Sequence, residues 1–210
     1  MLPAPAIVTW TGRPLLKPHF MNTVKHSHPW QHWTACDFLT AECLAELKAI
    51  DHCRPQQIHG KRLGDQRLFI GDHNANLYPE LYQLWQALHS SSMHDYFGSH
   101  TGIDYSQLFP RLEVISDIGD FYLEPHCDRL EKRLTALVYT DHAKLWPATV
   151  LGQDHRIAVA DNLCMFFVPG PHTIHHYPAM HFDQVRRALQ INYWTYSAAT
   201  ELHDQTMILR

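Results

Sequence analysis

Apolar residues recur at helical spacing in two early stretches and at strand-like spacing through most of the second half of the chain. In TAECLAELKAI, residues 40–50, Ala41, Leu44 and Leu47 repeat at three-residue steps, and Thr40 stands where a side-chain oxygen caps a helix. In PELYQLWQALH, residues 79–89, Leu81, Leu84, Trp85 and Leu88 form one stripe. Pro79 falls in the first turn there, where its missing N–H has no intrahelical partner to lose. The segment SSSMHDYFGSHTG predicts one or two further helical turns. Residues 1–36 read as an irregular aromatic arm or a short edge strand, with Trp10, Phe20, Trp30 and Trp33 set between prolines.

From about residue 110 the pattern changes. Short apolar or alternating runs follow one another: RLEVIS, FYLEPH, RLTALVYT, ATVLG, RIAVA, CMFFVP, HTIHHYP and ALQINYWTY, separated by Gly, Pro, Asp and Asn. Short strands punctuated in this way predict a sandwich or barrel. Helices first and strands after is an α+β order, mainly β, with the helices on one outer face of the sheet. Neither an internal repeat nor a linker interrupts the chain. It reads as a single domain over 1–210: an N-terminal helical and wall-forming part at 1–109, a β core at 110–196 and a tail at 197–210.

Composition narrows the function. The formal net charge is -4 and 45% of residues are hydrophobic, so a core forms and the basic excess of a phosphate-backbone binder is missing. No nucleic-acid partner is expected. The five cysteines, Cys36, Cys43, Cys53, Cys127 and Cys164, are odd in number and include no C-x-x-C pair, which argues against a disulfide scaffold or zinc ribbon. Prolines 3, 5 and 14 break the N-terminal stretch, so it does not read as a signal peptide, and no apolar run is long enough to span a bilayer. The expectation is a cytoplasmic protein, monomeric or homodimeric, with no membrane partner. Eighteen histidines are the one excess. Most must be surface residues, and their number weakens any motif built on histidine alone.

In EPHCD, His126 and Asp128 stand two apart in a predicted strand, so alternation points both to one face. An imidazole and a carboxylate so placed are two of the three ligands of a 2-His-1-carboxylate triad, which leaves coordination positions open for oxygen chemistry. A second H-x-D, His181–Asp183, lies in AMHFDQV, which reads as a loop. Candidates for the third ligand cluster in PGPHTIHHYP: His172, His175 and His176, among which spacing does not choose. Downstream, VRRALQINYW predicts a strand with Arg186, Ala188, Gln190 and Asn192 on one face and Arg187, Leu189, Ile191 and Tyr193 on the other. A barrel interior that holds a polar ligand takes the first face, so Arg186 is expected to point inward, where its guanidinium fork suits a carboxylate. Cys127, between two candidate ligands, is expected to turn the other way as a packed hydrophobe, and Trp146 and Trp194 to serve packing.

The order of motifs now resembles a known family. His126-Cys127-Asp128, then Thr135 to Tyr139, Asp161-Asn162 to Phe167 and Pro169, His175 to Pro178, and Arg186 to Tyr193 are similar to the Fe(II)/2-oxoglutarate oxygenases of the prolyl-hydroxylase type. The resemblance covers about residues 110–196. It implies a double-stranded β-helix, that is, a jelly roll. It also implies iron held by His126, Asp128 and His175, with His176 at the position where the family usually has glycine and so a remaining alternative. Arg186 matches the arginine that binds the distal carboxylate of 2-oxoglutarate, Tyr139 matches a tyrosine that bonds the same carboxylate in some members, and Thr135 shares its face. The Gly-Gly-Leu segment common in the family is replaced by WPATVLG. The implied activity consumes 2-oxoglutarate and O2, releases succinate and CO2, and hydroxylates an unactivated C–H bond. Halogenating members lack the carboxylate ligand, so Asp128 favours hydroxylation, or desaturation or ring closure. A small-molecule substrate, an amino acid or biosynthetic intermediate, is the expected partner. A peptide, protein or carrier-bound residue is the alternative, as is a jelly-roll isomerase or hydrolase using another divalent ion.

Overall fold

The computed structural model describes residues 22–50, 62–140, 149–158 and 160–195. The expectations for Trp10, Phe20, Cys53, Trp146 and the tail at 197–210 lie outside these residues. Both predicted helices form: α1 over Ala41–Ala49, where the Thr40 side chain accepts from the Cys43 N–H, and α2 over Pro79–Ala87. α3 runs over Ser91–Thr101, longer than the expected turn or two, because Ser90 caps its start and Gly102, at φ 75°, closes its end. No helix among the described residues is long and apolar enough to cross a membrane.

The strands are β1 (Val24–His26), β2 (His32–Ala35), β3 (Arg62–Ile70), β4 (Phe109–His126), β5 (Lys132–Tyr139), β6 (Val150–Leu151), β7 (His155–Arg156), β8 (Cys164–Phe167) and β9 (His175–Trp194). Their order is β1-β2-β8-β5-β9-β4-β3, antiparallel at every pairing, with β6 joining β7 and the first part of β9. The expected edge strand of the N-terminal arm is a hairpin, β1–β2, added beside β8.

Several strand boundaries differ from the sequence pattern. RLEVIS and FYLEPH are one strand, β4, and HTIHHYP and ALQINYWTY share another, β9. Register shifts between Asp117 and Gly119, and twice more before His126, let this long antiparallel pair bend without breaking, so each strand serves both layers of the jelly roll. His181 and Asp183, expected in a loop, lie within β9: β4 supplies a ladder partner there, Asp120 opposite His181. His181 is exposed and its Nδ1 lies 2.7 Å from Asp120 Oδ1. RIAVA contributes only Arg156 to a strand, and β3 was missed altogether because Gly64, Asp65 and Gln66 interrupt its apolar pattern.

Among the described residues, strand alternation sorts most buried side chains into two large clusters, beside a small one of Phe121 and Tyr177. Leu112 and Val114 of β4, Leu134, Ala136 and Val138 of β5, and Leu189, Ile191 and Tyr193 of β9 pack on the helices through Leu47, Leu81, Leu84, Met93 and Phe97. Ile115, Leu137, Tyr139, Met165, Phe167 and Ala188 fill the other side, between the two sheet layers. Each fully buried Leu or Phe contributes about 1.5–3 kcal/mol. The helix-covered face of β9 is the one expected from its sequence.

Asn162 joins the N-terminal segment to this frame. At φ 58° it forms the turn before β8. Its Oδ1 accepts from the Leu39 N–H at 2.8 Å, and its Nδ2 donates to the Leu39 carbonyl at 2.9 Å. Lys48 of α1 pairs with the neighbouring Asp161 at 2.9 Å.

Candidate functional site

β4 ends and β9 begins at the same point of the molecule, because His126 and His175 are register partners. Their ring centroids stand 4.3 Å apart. Each ring is turned by the carbonyl two residues before it: His126 Nδ1 lies 2.8 Å from the Glu124 oxygen and His175 Nδ1 3.0 Å from the Thr173 oxygen. A carbonyl only accepts, so Nδ1 carries the hydrogen and Nε2 presents its lone pair, the arrangement that prepares a histidine to bind a metal. Asp128 lies just past the end of β4 rather than inside a strand. One potential ligand atom from each of His126, Asp128 and His175 falls within 4.8 Å of the others. His176 is not in this group; it sits opposite Val150 of β6, and alternation turns it away from His175's side. His172 is exposed in the preceding turn.

Asp128 is held by residues from β5. Thr135 donates to its Oδ2 at 2.6 Å, and the Lys132 ammonium donates to its Oδ1 at 2.8 Å. Burial alone would raise the Asp128 pKa; Lys132 outweighs it, with His175 and the two hydrogen bonds, and keeps the carboxyl below its usual range. Burial lowers the His175 pKa to about 4 against the opposing pull of Asp128, so the imidazole is neutral near neutral pH. Lys132 was not anticipated. By simple alternation it belongs with Leu134 on the helix side, but the register shifts between the two, and Lys132 lies over the Trp194 ring at 5.3 Å.

The three residues open onto a cleft of about 460 Å³, counting space shared with solvent. Arg186, 5% exposed, lines the same cleft, with the Tyr177 ring 4.3 Å and the Phe121 ring 5.7 Å from its guanidinium carbon. Thr135 and Gln190 also line it. Tyr139 is buried behind this wall: its hydroxyl meets Thr149, and Thr149 meets the Tyr177 hydroxyl at 2.6 Å. Among the described residues Tyr177, not Tyr139, is thus the tyrosine that lines the cleft, and its sequence signal was its place in HHYP.

Arg67 of β3 reaches the cleft as well, bonding Glu113 and donating to Gln190 at 3.0 Å. Glu113 lies between Arg67 and Arg111. Burial pushes its pKa up, but the two guanidiniums prevail and bring it down to about 2. Asn192 links this group to the triad side: its Nδ2 donates to Glu113 at 3.3 Å, and its Oδ1 lies 3.2 Å from the Thr135 hydroxyl. Among the other expected residues, Trp194 is buried against Lys132, and Cys127 directs its sulfur to the Pro171 carbonyl at 3.4 Å.

No protein-family model matches the sequence, and no curated protein matches it. Solved structures do match. A prolyl-4-hydroxylase of Pseudomonas putida superposes with a TM-score of 0.59 at 14% identity, covering 78% of this chain and 92% of that one. A prolyl hydroxylase of Trichoplax adhaerens, solved with a peptide fragment of the hypoxia-inducible factor oxygen degradation domain, gives 0.54 at 15% identity over 79% and 84%. A 2OG-Fe(II) oxygenase family oxidoreductase of Burkholderia pseudomallei gives 0.50 at 14% identity over 84% and 85%. At these identities the likeness establishes a shared fold, the jelly roll expected from the motif order.

Proposed function

We propose that this jelly roll is an Fe(II)- and 2-oxoglutarate-dependent oxygenase that hydroxylates an unactivated C–H bond, with iron on His126, Asp128 and His175. One observation carries the reading: a two-histidine, one-carboxylate cluster and a buried arginine share one cleft wall. The donor set fits the ion. Two neutral imidazole nitrogens and one carboxylate are the ligands non-haem Fe(II) takes when it must keep open positions. Bound there, Fe(II) supplies oxygen activation, and 2-oxoglutarate supplies the two reducing electrons as it becomes succinate and CO2.

The remaining chemistry belongs to the chain. Thr135 and Lys132 fix the Asp128 carboxylate before any ion arrives. Arg186 is assigned to the distal carboxylate of 2-oxoglutarate, with Thr135 beside it on the wall and Tyr139 acting through Thr149 and Tyr177. Anchoring the far end aims the near end at the metal ligands without loss of entropy at the reactive step. Leu123, Phe121 and Leu137 on the wall keep water from the reacting centre. An inward arginine is what distinguishes this reading from a jelly-roll hydrolase or isomerase. The substrate read here is a small molecule, such as an amino acid or biosynthetic intermediate, bound in the cleft that these residues line. The Trichoplax enzyme's peptide fragment keeps a peptide substrate as the second reading.

The test is anaerobic. The protein with Fe(II) and 2-oxoglutarate is expected to develop the weak visible charge-transfer band of the chelate, and O2 then yields succinate. Arg186→Ala is expected to weaken 2-oxoglutarate binding by at least about 30-fold, or about 2 kcal/mol, the lower end for removing one partner of a buried charge pair. His175→Ala should abolish the band while His176→Ala keeps it. Wild-type protein without a band, or an Arg186→Ala variant of unchanged affinity, would refute the assignment.

A further inference from the structure

Part of the histidine excess is gathered at one place away from the cleft. His26 and His32 are the last register partners of the β1–β2 hairpin before its turn, and their rings stack at 4.7 Å. His155, at the start of β7, faces His32 at 5.7 Å, and His28, exposed in the hairpin turn, faces His155 at 5.5 Å. The two turns are pressed together: a Cβ on Gly152, at φ +63°, would come within 3.1 Å of Pro29.

His32 is the anchor of this group. It is 1% exposed, and its Nδ1 lies 2.9 Å from the Trp30 carbonyl two residues before it. That is the same clamp that turns His126 and His175, and it leaves the lone pair on Nε2. His32 Nε2 is buried and has no hydrogen-bond partner. An unsatisfied buried acceptor is costly and calls for an occupant. Protonation does not answer the need. Burial is the chief influence lowering the His32 pKa; the Trp30 carbonyl opposes it, and His26, His155 and His28 add to it.

We propose that His28, His32 and His155 hold a second divalent metal ion, of the imidazole-preferring kind typified by Zn(II), between the hairpin turn and the β6–β7 turn. His32 Nε2 is the fixed ligand. The rings of exposed His28 and half-buried His155 rotate to close the site around it, while His26, tied to Thr34 at 2.8 Å, backs His32 by stacking. Three imidazoles without a carboxylate suit Zn(II), Ni(II) or Cu(II) and disfavour Mg(II) and Ca(II). The ion would also brace the oxygenase cleft. Trp30, in the same turn, packs on Phe167 at 4.8 Å and donates to the Ile174 carbonyl at 3.2 Å, and Phe167 lies 5.2 Å from the His175 ring.

The experiment is equilibrium dialysis of the full chain against Zn(II), with bound metal measured by mass spectrometry. Wild type is expected to retain about two ions per chain, and a His126→Ala/Asp128→Ala double variant about one. Adding His28→Asn and His155→Asn, both in turns and not in the core, should weaken the remaining ion by at least about tenfold, with circular dichroism unchanged. Replacing Zn(II) with Co(II) in the double variant should give the visible d–d bands of a nitrogen-ligated site. The proposal falls if the double variant binds no Zn(II), or if its Zn(II) affinity is indifferent to the His28 and His155 substitutions.

Discussion

At the residue scale, Asp128 depends on a lysine that the motif does not mention. Lys132 is buried with it and balances its charge. Removing one member of a buried pair leaves the other uncompensated, at about 3–5 kcal/mol. Lys132→Met is therefore expected to lower the stability of the metal-free protein by about that amount. A divalent ion then takes over the compensation of Asp128. Mn(II) should raise the melting temperature of Lys132→Met by more than it raises that of wild type. Equal shifts in a thermal melt would show that Lys132 does not balance Asp128. The candidate ligands His126, Asp128 and His175 could be proposed from the sequence because chemistry restricts metal ligands to few residue types, and the structure brings the three together. Lys132 and Arg67 were not readable: one lies just before a register shift and the other sits on a strand whose polar start hid its pattern.

At the scale of elements, the helices and the strands β5 and β8 followed their sequence periodicity, since each buries a definite face. What periodicity did not reveal was continuity. FYLEPH and RLEVIS are separated by Asp117, Gly119 and Asp120, which read as a turn, yet the ladder with β9 carries the chain through with bulges. A partner strand overrides local turn propensity, and the partners of Asp117, Gly119 and Asp120 lie more than about sixty residues downstream. The Asp161-Asn162 pair, which entered as part of a motif, has a structural task. Asn162→Ala removes two hydrogen bonds to Leu39 and places alanine at positive φ. Urea denaturation should register a loss of about 2–4 kcal/mol, and Asn162→Gly should recover only the backbone part of it. A loss under about 1 kcal/mol would mean the Leu39 junction is not a restraint on the fold.

At the scale of the molecule, a few charged groups are buried, Glu113, Lys132 and Arg186 among them. Glu113, between Arg67 and Arg111, has its pKa lowered from 4.5 to about 2. A depressed acid contributes stability that is complete above its unfolded value and is lost as pH falls toward the folded one. The window is thus pH 4.5 down to about 2, and the drop corresponds to on the order of 3 kcal/mol. Glu113→Gln, already less stable at neutral pH, should show a correspondingly flatter fall in stability across that window. If wild type and variant decline in parallel, Glu113 is not the group that titrates.

β4 and β9 end at the histidine pair and, further along, form the centre of the helix-backed sheet. An ion on His126 and His175 would therefore act as a rivet through the end of a bent ribbon whose other end is the scaffold. Its influence should not stop at the cleft. Amide hydrogen exchange at Val114 and Leu189, ladder partners on the helix-backed stretch of that ribbon, is expected to slow when Fe(II) or Mn(II) is added. In such a molecule, losing the metal loosens the frame as well as the chemistry.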